Sequence, residues 1–182
     1  DVRAKGGNTY TFTYNSDAIP HLIIINQIVG GTVVMYQIDH VPYNLVSPFD
    51  GTPYGTTSVV SAVCDRRTNL THWIGYNSNG SGELTSVGMP YSGMMRWEYR
   101  TFAFPSAATI REVQYRYVRS TTVAGGPEDV YTFFRDDTNS PSHNWTVLSD
   151  PTGAAKVWAF YVDPAAWYHG LLGWYEDRKQ PW

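Results

Sequence analysis

Met94-Met95-Arg96-Trp97-Glu98-Tyr99-Arg100-Thr101-Phe102 is the stretch on which the fold class turns. Large apolar residues and charged residues alternate one by one, with Met95, Trp97 and Tyr99 on one side and Arg96, Glu98 and Arg100 on the other. A period of two belongs to a strand, because successive side chains of extended backbone point to opposite faces. Residues 110–119 repeat the pattern, with Val113, Tyr115 and Tyr117 alternating with Glu112, Gln114 and Arg116. Antiparallel pairing of the two runs is expected to set an aromatic face on the core and an Arg/Glu face on solvent. Each cross-strand charge pair would then add about 0.2–1 kcal/mol, enough to favour register but not to hold a fold.

The same period extends outward in both directions. Thr9-Tyr10-Thr11-Phe12-Thr13-Tyr14 alternates cleanly, which places Tyr10, Phe12 and Tyr14 on one face. Residues 22–29 and 32–38 are β-branched runs separated by Gly30-Gly31, a tight-hairpin signal because the favoured turn needs positive φ at both central positions. Further strands are predicted at about 56–64, 70–76, 83–88, 129–134, 144–148 and 155–162. One segment reads as helix: Asp163-Pro164 is a good cap and first-turn pair leading into Ala165-Ala166-Trp167, kept short by Gly170 and Gly173. About ten strands, one short helix near the C-terminus and regular turns predict an all-β antiparallel sandwich, jelly roll or β-barrel. Residues 1–182 are expected to form a single β domain. The open ends at Asp1 and Trp182 suggest one excised from a longer polyprotein.

Composition narrows the classes further. The 182 residues are 42% hydrophobic, 15% aromatic and 16% charged, with a net charge of −3. Disordered chains have few aromatics and high net charge, so that class is excluded, and 16 scattered Gly exclude a collagen period. The charged fraction lies below the average of about 25%. Adjacent basic residues are confined to isolated pairs such as Arg66-Arg67, whereas a phosphate backbone asks for a stripe of cations, so no nucleic-acid partner is expected. Apolar runs such as Leu22-Ile23-Ile24-Ile25 are too short for a transmembrane segment. Cys64 is alone and reads as a small buried hydrophobe on a strand.

No residue pattern names a reaction. His21, His40, His72, His143 and His169 lack metal-ligand spacing, and no Gly-x-Ser-x-Gly elbow nominates a serine. Arg135-Asp136-Asp137-Thr138-Asn139 reads as an Asx-rich turn rather than a calcium loop. Glycoside hydrolysis needs two carboxylates flanking a sugar, yet Glu98 and Glu112 already have Arg neighbours and nothing pairs Glu83, Glu128 and Glu176. No enzyme activity, metal or cofactor is expected. Glycosylation sequons stand at Asn69, Asn79 and Asn144, with Asn79-Gly80 part of a turn over 77–82.

The aromatics left over point to binding. Tyr43, Tyr54 and Tyr91 each follow a Pro and are expected in stiffened loops, and Trp167, Tyr168, Trp174, Tyr175 and Trp182 crowd the tail, expected to fold back as a lid. Tyr and Trp cover much area at low entropy cost and dominate recognition loops. Tyr43, Tyr54, Tyr91, Trp167 and Trp174 are therefore the candidate receptor- or ligand-binding residues.

In overall character, carried by Pro90-Tyr91-Ser92-Gly93-Met94-Met95-Arg96-Trp97 and by the open ends, the chain resembles the protruding or spike domains of small non-enveloped RNA virus capsid proteins. The resemblance implies a homo-oligomeric projection, a dimer first, on the virion surface, with host receptor or glycan attachment, antibody epitopes on its loops and no cofactor. The alternatives are a secreted, extracellular microbial glycan-binding module or lectin, and, ranked last, a small hydrolase or membrane-active toxin anchored by the Trp-rich tail.

Overall fold

The period-two runs do become strands. The computed structural model describes residues 2–3, 9–17, 21–104, 109–120, 126–136, 143–163 and 165–179. The chain gathers in two compact units, Asp1–Gly93 and Met94–Trp182. The first holds β1 (Val2–Arg3), β2 (Thr9–Tyr14), β3 (Leu22–Val29), β4 (Thr32–Val46), β5 (Pro53–Asp65), β6 (Leu70–Tyr76) and β7 (Leu84–Gly88), with a 3-10 turn at Pro90–Ser92. The second holds β8 (Met94–Ala103), β9 (Thr109–Arg119), β10 (Asp129–Arg135), β11 (Trp145–Ser149), β12 (Ala155–Phe160) and β13 (Leu172–Arg178).

Within each unit every strand pairs antiparallel with the next one in sequence. The fold is all-β and antiparallel, as expected, but within each unit the strands form an open meander rather than a jelly roll or closed barrel. The cause is the connections, which are short enough to join only neighbouring antiparallel strands. Gly30 and Gly31, at φ 54° and 82°, make the expected hairpin between β3 and β4.

Three expectations change. The helix after Asp163 is absent among the described residues. The Asp163 carboxylate does accept from the Ala165 amide at 2.9 Å, but the chain then makes separate turns, Ala166 N to Asp163 O and His169 N to Ala166 O. One turn is too little to nucleate a helix, and Gly170 at φ 81° ends the segment. β4 runs to Val46, past the predicted end at 38, because Pro42 sits opposite Ser58 inside a long pair that tolerates one missing donor.

The third change concerns β8 and β9. Arg96 lies opposite Tyr117, Trp97 opposite Arg116 and Glu98 opposite Tyr115, so charged and aromatic residues share each face at this end. Gln114 is then left without an opposite residue, and past that bulge Tyr99 meets Val113 and Arg100 meets Glu112. A one-residue change of register inverts which residues face each other, which the alternation of either strand alone does not reveal. The Arg96 guanidinium compensates by lying 3.4 Å from the centre of the Tyr117 ring while bonding Glu128 at 2.9 Å and Glu98 at 2.6 Å.

The cores are thin. Val34, Ala62 and Cys64 are the buried apolar residues described in the first unit, and Val147, Ala155 and Val157 those in the second. Cys64 is thus the buried strand residue expected. Phe12 and Tyr14, which share one face of β2, are exposed.

Two turns depend on carboxylates. Thr152 first, with the Thr152 and Ala154 amides, bonds Asp150 and holds its carboxyl below the usual range, and Ser47 and Thr52 do the same for Asp50. A depressed carboxyl stabilises the fold above its unfolded value of about 3.9 and loses that contribution as pH falls through its folded value. Amide exchange at Thr52, Thr152 and Ala154 is therefore expected to gain rate, relative to unstructured controls, between about pH 6 and pH 3. Equal protection at both would contradict this.

Candidate functional site

The bulge at Gln114 brings together a cluster of charges that neither strand pattern announces. Glu112, 8% exposed, receives the Arg100 Nε at 2.6 Å on one carboxylate oxygen. The other oxygen lies 3.4 Å from Arg135 Nε and 3.0 Å from His143 Nε2. Arg135 also donates to the Val113 carbonyl at 2.7 Å. Burial pushes the Arg135 guanidinium down, against the pull of Glu112, and the neighbouring Arg100 adds to the lowering. The His143 ring packs against Phe102 and Phe104 at 4.6 and 5.0 Å.

His143 Nδ1 stands 2.8 Å from the Asp136 backbone carbonyl, which can only accept. Nε2 meets a carboxylate held by two arginines, which also accepts. The ring is a clamp between β9 and the segment after β10. The cluster therefore builds structure, and what it builds is the start of β11: Asp136 Oδ1 accepts from the Asn144 and Trp145 amides at 2.8 and 3.2 Å.

Trp145 and Asn144 are walls of a cavity of about 480 Å³ on one face of β11–β13. Trp145 is in register with Ala159 on β12, and Ala159 with Trp174 on β13, so the two indoles stand on the same face with only a methyl group between them. Val147 and Val157, also directly opposite each other, form the adjoining floor, and Arg178 closes one end. Arg178 bonds Glu176 at 2.7 Å and holds that carboxyl below the usual range. Gly173 is the extra residue of a bulge beside Trp174, where a Cβ would sit 3.4 Å from the Ala159 carbonyl and 3.6 Å from the Tyr161 ring.

The residues nominated from sequence are distributed over both units. Tyr43 and Tyr54 lie on strands β4 and β5, not in loops, because the prolines before them are accommodated within the pair. Tyr43 is half-buried; its hydroxyl donates to the Asn77 carbonyl and its ring lies 5.7 Å from Tyr76, so it holds the turn over 77–83 in place. Tyr54 is the unmatched residue of a bulge, since Leu45 pairs with Gly55 and Val46 with Pro53, and it stands 69% exposed. Tyr91 does occupy a turn, at φ 65° and 73% exposed. Trp167 is 88% exposed, with its ring 5.6 Å from Tyr168. Trp174 and Tyr175 form part of strand β13 rather than a lid, and Trp182 lies outside the described residues.

Two exposed tryptophans were not nominated. Trp73, 62% exposed, is out of phase with Leu70, Ile74 and Tyr76 on β6, a signal the sequence did carry. Trp145 had no such signal, since only register pairs it with Trp174. Asn69 and Asn79 are exposed, while Asn144 lines the cavity with its side-chain oxygen buried. Arg135 ends β10 and Asp136 works as a cap for β11, while residues 137–139 lie outside the described residues. No protein-family model and no curated protein matches the chain.

Proposed function

We propose that this chain is a non-enzymatic surface domain of a non-enveloped virus capsid, a spike or protruding module that assembles as a homodimer and attaches to a host receptor or glycan. What supports this reading is the mismatch between core and surface. Among the described residues each unit buries three small apolar side chains, while Tyr54, Tyr91, Trp73 and Trp167 stand largely in solvent. Uncovered apolar area of this kind marks an interaction surface, and Tyr and Trp are the side chains that carry most binding energy there.

Attachment and assembly need no catalytic group and no cofactor, and an acidic chain of pI about 5.9 suits a protein target better than nucleic acid. A secreted lectin would use the same aromatics, and the paired tryptophans over Ala159 are the observation in its favour.

Light scattering tests the assembly. The expected mass is a multiple of the 20.5 kDa chain, twice for the dimer, and a strict monomer at high concentration sinks that part of the reading. Attachment is tested on receptor-bearing cells or a glycan array, where Tyr54→Ala or Tyr91→Ala is expected to weaken retention. Unchanged retention in both variants would remove these residues from the contact.

A further inference from the structure

We infer that the groove between Trp145 and Trp174 is a binding site for a neutral pyranose ring, held between the two indoles above Ala159. The inference rests on the attachment reading for its biological setting, and on the geometry of β11–β13 for its chemistry.

Neighbouring strands lie about 4.7–4.9 Å apart, so residues on β11 and β13 in one row are separated by about 9–10 Å at the backbone. Carbon atoms meet at about 3.5–4 Å, so one ring with an indole on each side fills that gap. Ala159 is what keeps the gap open, since any larger side chain at the middle of the row would occupy it. Both indoles are partly exposed, which leaves their faces to a visitor.

The edges of the site are polar. Asn144 lines the groove, and its side-chain oxygen, buried just behind the wall, has no hydrogen-bond partner among the described residues, so a rotation of the amide towards the groove would let a hydroxyl donor satisfy it. Arg178 stands at the opposite end with its charge answered by Glu176. A pyranose presents apolar C–H faces to the indoles and hydroxyls to these edges. An aromatic side chain from another protein has no such edge, and an acidic sugar would have to compete with Glu176 for Arg178. The groove thus favours a neutral sugar. Trp145 is placed by its amide bond to Asp136, so the buried cluster is what pre-orients one wall.

The test is a fluorescence and NMR titration of the full chain with methyl β-galactopyranoside, β-glucopyranoside, α-mannopyranoside and β-N-acetylglucosaminide. At least one is expected to saturate and to shift the Trp145 and Trp174 indole signals, leaving that of Trp167 in place. Trp145→Ala and Trp174→Ala are expected to weaken binding at least tenfold, and Trp167→Ala less than twofold. Ala159→Leu removes neither indole and fills the gap, and is expected to abolish binding with the strand signals of β11–β13 unchanged. Three outcomes overturn the proposal: no response to any of the four sugars by folded protein, equal binding by Ala159→Leu, or an oligomer that Trp174→Ala dissociates without any sugar response, which assigns the groove to a protein partner. Sugar binding by a strict monomer upholds the groove and removes the dimer reading instead.

Discussion

Glu112→Gln is expected to be the most damaging conservative substitution in the second unit. It keeps the shape of the side chain and removes the one charge that Arg100, Arg135 and His143 share. Taking one member from a buried ionic cluster leaves the others uncompensated, at about 3–5 kcal/mol. That is a large part of the roughly 5–15 kcal/mol that holds an ordinary domain folded. Urea unfolding followed by far-ultraviolet dichroism measures it, and a midpoint unchanged from wild type would show that the cluster contributes nothing net. Glu98→Gln is the control. Its carboxylate is bound by the same kind of donor, Arg96, but is half exposed, and about 0–1 kcal/mol is expected there.

The second large effect belongs to His143. The imidazole bridges the Asp136 carbonyl at 2.8 Å and the Glu112 carboxylate at 3.0 Å, in a site lined by Phe102 and Phe104. His143→Leu keeps the apolar packing and removes both polar contacts, and an unmade hydrogen bond at a buried group costs about 1–3 kcal/mol. The variant is expected to unfold at lower urea than wild type, and an unchanged midpoint would contradict the clamp. Because Asp136 also holds the Asn144 and Trp145 amides, the same loss is expected to show as faster exchange at the start of β11.

Much of the fold was legible because strand and turn signals are local. Thr9–Tyr14, the Gly30-Gly31 hairpin and the turn over 77–82 follow from a period of two and from positive φ, which need no knowledge of neighbours. The helix after Asp163 failed for a matching reason: a cap is local, but a helix must outlast its nucleation cost, and this segment stops after single turns. The binding site was less legible. Tyr54, Tyr91 and Trp167 were nominated from composition and stand exposed, while Tyr43 is occupied with its own turn.

By itself the sequence determined the class of structure, all-β and antiparallel, and that Cys64 would be buried, because each follows from side chains within one strand. The excess of aromatics over charge was also visible. Which aromatics face each other was decided by the tertiary structure alone. Register is a relation between strands, and one unpaired residue, Gln114 in β9 or Gly173 in β13, changes every pairing beyond it. The Trp145–Ala159–Trp174 row and the meeting of Glu112 with His143 both arise that way, from residues up to 31 positions apart that only hydrogen-bonded strands bring together.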